Sequence, residues 1–283
     1  MHADTDRPSL SAWWRTACLA LCVVAGGVPV VAPATAGLAG APDQSAPAPS
    51  LAVSRQLRDM MTPAGRVRFD LYRPATLPAG PRPLVVVAHG FWRSRAQMAG
   101  WGRHLATQGY VVAVPDLPAW SDHARNGRAL QALVASLLAW PPDAVPMDRA
   151  RVALVGFSAG GLAALLAAAD DPSVLVWVGL DPVDRDGLGV RAAARLRARA
   201  VVLQAEPSAC NGRGNARSLV AALGDRVEVI RIPGATHVDA EWPTSLAARA
   251  ACGGTDAGRR QAFVQAATDA LERAFGAPSG ARP

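Results

Sequence analysis

Short apolar runs alternate with helical patterns along most of the chain, and this alternation constrains the fold more than any other feature. The run 84–88 (LVVVA) has no polar residue, which is typical of a strand covered on both faces. The segment 159–169 (AGGLAALLAAA) is rich in alanine and is predicted to form a helix. The predicted strands are 66–72, 84–88, 110–114, 151–155, 174–180, 200–204 and 227–232. The predicted helices are 96–108, 125–140, 159–169, 190–199, 215–223 and 258–275. Strands that alternate with helices predict an α/β fold with one mostly parallel central sheet and helices on both of its faces.

The composition is that of a globular protein with a large core. Hydrophobic residues make up 51% of the 283 residues, and charged residues make up 18%. The net charge is +7, but the arginines are scattered along the chain. The densest group (Arg191, Arg195, Arg197 and Arg199) recurs partly at helical spacing and is predicted to lie on an exposed helix face. We therefore expect no nucleic-acid partner.

The first residues have the pattern of an export signal. Positive charge at Arg7 and Arg15 precedes the apolar stretch 17–31, and residues 34–36 (ATA) offer a cleavage site between small residues. The stretch is short and glycine-rich for a membrane span, with an anchor that is never cut as the alternative. The expected organisation is a signal peptide at 1–36, a flexible lead-in at 37–50, a catalytic domain at 51–277 and a tail at 278–283. The mature protein is then secreted or periplasmic and has no stable membrane anchor.

Signal removal would take Cys18 and Cys22 away and leave Cys210 and Cys252. An even pair of cysteines in an oxidising compartment predicts one disulfide bond, with two buried free thiols as the alternative. The bond would tie the unusual loop 206–216 to the chain that follows the last strand.

Ser158 lies in the segment GFSAGG, between a predicted strand and a predicted helix. A nucleophile on such a tight turn needs small residues two positions away on either side, and Gly156 and Gly160 meet this need. The helix that follows points free N–H groups and its positive dipole end at the serine. The sequence therefore predicts that Ser158 is a catalytic nucleophile rather than an ordinary turn serine.

The predicted base is His237, because a serine hydroxyl needs an imidazole to take its proton. His237 follows the last predicted strand across the turn 233–236 (PGAT). That turn directs it to the carboxyl edge of the sheet, where Ser158 is expected. His104 lies in a helical pattern and is predicted to be structural, and His123 has no motif around it.

The acid that would orient the imidazole is less sharply defined. Asp181 stands directly at the end of the predicted strand 174–180 and is the first choice. Glu206 follows the next strand and is the main alternative, and Asp184 and Asp239 are also open.

Two backbone N–H groups are predicted to form an oxyanion hole. One belongs to Ala159, directly after the nucleophile. The other belongs to the loop HGFW, where Gly90 allows a sharp turn; we assign Phe91, with the neighbouring Trp92 as the alternative. His89 is then expected to be an anchor of this loop rather than a second base.

The ordered segments HGFW, GFSAGG, GLDPV and GATH resemble the α/β-hydrolase superfamily over about residues 50 to 275. Within it, the chain is most similar to chlorophyllase-like esterases and to polyester hydrolases of the cutinase or dienelactone-hydrolase type. The stretch from VVVAHGFW to VVAVPDLP is similar to the chlorophyllase pattern of a His-Gly loop, a helix and a Gly-Tyr/Phe strand. The segment LDPVD resembles the Asp-bearing segment of that family and favours Asp181.

The resemblance implies a single-domain serine carboxylic-ester hydrolase with a Ser-Asp-His triad, an acyl-enzyme intermediate and no metal or cofactor. This chain has Ala159 where chlorophyllases usually have a larger residue, and an export signal does not fit a chlorophyll substrate. The mechanism is therefore carried over, and the substrate is not.

Three loop tryptophans are predicted to line an apolar pocket for a small or polymeric ester: Trp92, Trp120 and Trp242. Core packing is the alternative for each. The alternative functions are those of an acyltransferase or a peptidase with the same triad, or of a binding protein without catalysis.

Overall fold

The computed structural model describes residues 51–76 and 80–276. The predicted signal peptide, lead-in and tail lie outside the described residues. The strands are β1 Val53–Thr62, β2 Gly65–Pro74, β3 Arg82–Ala88, β4 Val111–Pro115, β5 Met147–Phe157, β6 Val174–Leu180, β7 Arg199–Gln204 and β8 Val227–Arg231. The helices are α1 Ala99–Thr107, α2 His123–Ala139, α3 Ala159–Ala169, α4 Leu188–Ala193, α5 Arg217–Leu223, α6 Leu246–Cys252 and α7 Ala257–Phe275.

The strands form one sheet in the order β1-β2-β4-β3-β5-β6-β7-β8. Strands β3 to β8 pair in parallel, and β1 and β2 add an antiparallel edge. The prediction of a mostly parallel α/β sheet is confirmed. Strand β1 was not predicted because it has neither an apolar run nor a regular alternation, and its position is set by pairing with β2 along its full length.

Apolar side chains are buried on both faces of the sheet. In β5, Val152 and Leu154 join the layer beneath α2 and α3, whereas Ala153 and Val155 join the layer beneath α1 and α7. This two-sided burial explains why the strand is a continuous apolar run. Within the part of the chain that the structure describes, no helix has the length and apolarity needed to cross a membrane.

The region before β7 differs from the prediction. The helix expected at 190–199 is α4, which ends at Ala193, and Arg199 is already the first residue of β7. The arginine group therefore does not lie on one helix face. The short helix α6, after the last strand, was also missed.

Candidate active site

Ser158 lies on a strained turn between β5 and α3. Its φ is 54° and its ψ is −122°, a conformation that costs energy for a residue with a side chain. Backbone segments approach each other very closely at this turn. A Cβ added at Gly156 would lie 2.3 Å from the carbonyl oxygen of Gly160, and a Cβ added at Gly160 would lie 2.2 Å from the carbonyl oxygen of His89. Backbone contacts therefore require glycine at both positions, as the sequence motif predicts.

Sheet register brings Ser158 next to Asp181. In the β5–β6 pair, Phe157 lies opposite Leu180, so the residue that follows each strand stands at the same edge. The N–H of Ser158 donates to the carbonyl of Leu180 at 3.1 Å and fixes the turn.

His237 joins these two residues by hydrogen bonds. Its Nε2 lies 2.9 Å from Oγ of Ser158, and its Nδ1 lies 2.6 Å from Oδ2 of Asp181. All three side chains are buried. A charge-assisted contact to Nδ1 leaves Nε2 as the acceptor toward the serine hydroxyl.

The Asp181 carboxylate is held by two further donors. Oδ1 accepts from the N–H of Ala205 at 3.1 Å, and Oδ2 also accepts from Nδ2 of Asn211 at 3.0 Å. Asn211 is fully buried and also binds the carbonyl of Glu206 and the N–H of Gly214. Asn211 was not predicted from the sequence. The one sequence feature that pointed to it was its position in the unusual loop 206–216.

The other acids considered from the sequence have different partners. Glu206 is exposed and accepts from the N–H of Gly234. Asp184 accepts from backbone N–H groups at the start of α4. Asp239 is buried, but it accepts from Thr236 and Arg259. Among the four, Asp181 is the acid whose carboxylate contacts His237.

The loop after β3, residues 89–94, lies against the serine turn and is called the β3 loop below. A Cβ at Gly90 would lie 2.9 Å from the Phe157 ring, so this approach needs a glycine. The backbone N–H of Leu117 donates to Nε2 of His89 at 3.0 Å, and Nδ1 of His89 therefore donates to the carbonyl of Gly90 at 2.9 Å. Burial lowers the pKa of His89 and favours this neutral form. His89 thus anchors the loop.

The two predicted oxyanion donors border one cavity. Ala159 is the first residue of α3, so its N–H has no partner within the helix. Phe91 and Ala159 both line a cavity of about 210 Å³. Trp92 and Trp120 line it as well and are 63% and 74% exposed.

Phe91, Trp92 and Trp120 form an aromatic rim on this cavity. The Phe91 and Trp92 rings stack with centroids 5.0 Å apart, and Trp92 meets Trp120 edge-on at 6.3 Å. The rim brings together two of the three tryptophans singled out from the sequence.

Trp242, the third tryptophan singled out from the sequence, does not line this cavity. Its ring is half-buried and fills the space left by Gly100, where an added Cβ would lie 2.2 Å from the ring. It packs on the core layer beneath α1 and α7 and lies against His104. Its backbone N–H and carbonyl bind Gln97 and Gly100, which holds the ring against this layer.

Cys210 and Cys252 form a disulfide bond with a Cα–Cα distance of 5.7 Å, as predicted. The bond joins the residue before Asn211 to the end of α6. In the described part of the chain, no cluster of three or more His, Cys, Asp or Glu side chains is arranged to hold a metal ion.

Comparison with known proteins identifies the family of this chain. The model of the PET hydrolase-like family, PETase, matches residues 48–199, which include Ser158 and Asp181; His237 lies beyond the match. The bis(hydroxyethyl) terephthalate hydrolase of Streptomyces coelicolor is 32% identical over 117 residues, which are 41% of this chain and 38% of that protein. The match thus spans less than half of that relative.

Two solved structures share the fold. A dienelactone-hydrolase-like promiscuous phosphotriesterase from metagenomic libraries has a TM-score of 0.66 at 18% identity, with 80% of this chain and 100% of that chain covered. The dienelactone hydrolase of Anabaena variabilis has a TM-score of 0.62 at 19% identity, with 78% and 98% covered. This chain belongs to the PET hydrolase-like family and has the α/β-hydrolase fold.

Proposed function

We propose that this protein is a serine carboxylic-ester hydrolase that works through an acyl-enzyme on Ser158. The observation that carries the proposal is the buried hydrogen-bonded series from Ser158 Oγ through His237 to Asp181, with distances of 2.9 and 2.6 Å. Such a series activates a hydroxyl that is otherwise a weak nucleophile.

In the first step, Oγ of Ser158 attacks the ester carbonyl while Nε2 of His237 takes its proton. Asp181 accepts the Nδ1–H bond and stabilises the imidazolium that forms. The carbonyl oxygen becomes an oxyanion, and the N–H groups of Phe91 and Ala159 are the proposed donors to it. The tetrahedral intermediate collapses, and the imidazolium gives its proton to the leaving alcohol.

In the second step, water repeats the sequence. His237 takes a proton from water, hydroxide adds to the acyl carbonyl, and the acid leaves as Ser158 regains its proton. The strained turn at Ser158 keeps Oγ at the N-terminus of α3, where the positive end of the helix dipole stabilises the oxyanion.

The proposed substrate is a short ester with an aromatic group. The aromatic rim supports this choice, because flat rings stack favourably on Phe91 and Trp92. The Streptomyces relative is named for bis(hydroxyethyl) terephthalate, an aromatic ester of this kind. Both soluble esters and polymer ends remain within the proposal, because the rim is exposed.

We also propose that the protein is exported after cleavage behind residue 36. The Cys210–Cys252 bond supports this, since disulfides persist in oxidising compartments. Expression of the full chain in a bacterial host, fractionation and N-terminal sequencing test the proposal. The expected mature protein begins at Gly37 and is found outside the cytoplasm; an intact N-terminus in the cytoplasm would contradict it.

The catalytic proposal is tested by labelling with a fluorophosphonate and by hydrolysis of bis(hydroxyethyl) terephthalate followed by chromatography. We expect labelling at Ser158 in the wild type and neither labelling nor turnover in Ser158→Ala. Ser173→Ala, in the turn before β6, is the control and should behave as the wild type. Turnover that survives in Ser158→Ala would overturn the proposal.

A further inference from the structure

Glu241 is a buried carboxylic acid that the proposed mechanism does not use. It follows the turn His237–Ala240, called the histidine turn below, and its side chain is 0% exposed. Its Oε1 accepts from Nε of Arg93, and its Oε2 has no hydrogen-bond partner among the described residues. Burial raises the pKa of this carboxyl, while Arg93 and His237 lower it.

Arg93 belongs to the β3 loop and comes two residues after Phe91. Its side chain is 21% exposed, and the residue lines the cavity. The pair therefore links the loop that carries one proposed oxyanion donor to the turn that carries the proposed base. Arg93 and Glu241 are 148 positions apart in the chain, so the link exists only in the folded protein.

Stability alone does not explain this pair. A buried ion pair pays a large desolvation cost, and apolar residues of similar size often stabilise a protein equally well or better. Backbone bonds already tie the neighbouring chain segments, with Trp242 N–H donating to Gln97 at 2.9 Å and Gly100 N–H donating to Trp242 at 2.8 Å. What the side-chain pair adds is a link to the β3 loop itself, close to Phe91.

We propose that Arg93 and Glu241 are a positioning pair that fixes the β3 loop relative to the histidine turn. The oxyanion donor on the loop and the base on the turn are thereby held in the correct positions around the same ester carbonyl. The inference rests on the proposed function of Ser158, His237 and Phe91. Neither residue of the pair contacts Ser158 or His237 by a hydrogen bond, so the effect is on geometry. A shift of about 1 Å in such a donor is enough to lower the rate about 100-fold.

The experiment compares Arg93→Met, Glu241→Gln and the double variant Arg93→Met/Glu241→Met with the wild type on bis(hydroxyethyl) terephthalate. Each single variant is expected to lose roughly 10-fold or more in kcat, with KM changed less than about 2-fold. The rate of fluorophosphonate labelling should fall in parallel, because that reaction also forms an oxyanion. Arg93→Lys should recover only part of kcat, since an ammonium cannot reproduce the planar fork.

The double variant separates positioning from stability. It leaves no buried charge unpaired, so its resistance to urea should exceed that of the single variants, whereas kcat stays low. The matched control is Arg259→Met. Arg259 pairs with buried Asp239 on the same histidine turn but on the side of α7, and its exposure of 30% is close to that of Arg93. Arg259→Met should lose stability and retain kcat.

Three results would overturn the positioning role. A double variant with the kcat of the wild type would show that the pair only supports the fold. A change confined to KM would make Arg93 a substrate contact. An equal loss of kcat in Arg259→Met would mean that any disturbance of the histidine turn has this effect. Failure of the proposed function looks different, because then the wild type itself would resist fluorophosphonate or Ser158→Ala would stay active.

Discussion

The two sides of the candidate site are held in different ways. On the side of the proposed triad, Ser158, Asp181 and His237 are buried and joined by hydrogen bonds of 2.6 to 3.1 Å that extend to Ala205 and Asn211. On the side of the proposed substrate pocket, the aromatic rim is largely exposed at Trp92 and Trp120, whose rings contact each other. Reaction chemistry needs fixed charges and dipoles, whereas exposed rings can adjust to different esters. The comparison predicts that changes on the first side alter kcat and changes on the second alter KM.

The largest effect is expected for Asp181→Asn. The amide is neutral, so it has no negative charge to stabilise the imidazolium. We therefore expect kcat to fall by about 10³–10⁴-fold. Steady-state hydrolysis of a p-nitrophenyl ester measures it. Glu206→Gln is the control, because Glu206 is exposed and bonds Gly234, and it should stay near the wild type. The reverse result would make Glu206 the acid.

The next largest effect is on stability. The bond between Cys210 and Cys252 spans 42 residues. Its removal in Cys210→Ser/Cys252→Ser should lower the free energy of unfolding by about 2–4 kcal/mol, since the unfolded chain gains entropy. Denaturant unfolding of the oxidised wild type and the variant measures the difference. An unchanged free energy of unfolding would show that the packing of the loop 206–216 is sufficient without the bond.

A smaller loss is expected for Asn211→Ala. It removes one of the donors to the Asp181 carboxylate, and a hydrogen bond to a charged group contributes about 1.5 kcal/mol, which corresponds to roughly 10-fold in kcat. Turnover is measured at a temperature where the variant is folded, as checked by circular dichroism. Asn215→Ala is matched, because Asn215 binds Asp184 in the same region and does not contact Asp181. Equal losses in both variants would assign the effect to loop stability.

The smallest effects are expected on the aromatic rim. Trp92→Ala and Trp120→Ala remove ring contacts of about 0.5–1.5 kcal/mol, so KM for an aromatic ester should rise about 2- to 10-fold while kcat changes little. An aliphatic ester of similar size should show a smaller change. Trp140→Ala is the control, because Trp140 is also largely exposed and does not line the cavity. A large fall in kcat for the rim variants would break the distinction between the two sides.

The parallel strands were predictable because burial on both faces demands continuous apolar sequence. Strand β6 and helix α3 have the predicted bounds, 174–180 and 159–169. β1 was not predictable in this way, since an edge strand is specified by backbone pairing with β2 and not by its own side chains. The end of α4 was missed because arginine spacing suits a helix, whereas the start of β7 depends on pairing with β6.

The sequence by itself determined the serine turn, because the close approach of backbone atoms around Ser158 leaves room only for glycine at 156 and 160. That constraint acts over a few residues and can be read from them. The tertiary structure decided among the candidate acids that Asp181 meets His237. It alone showed that Asn211 holds Asp181, that Glu241 meets Arg93 and that Trp242 packs against the core. These partners lie far apart in the chain, and their meeting depends on sheet register and on the paths of the loops.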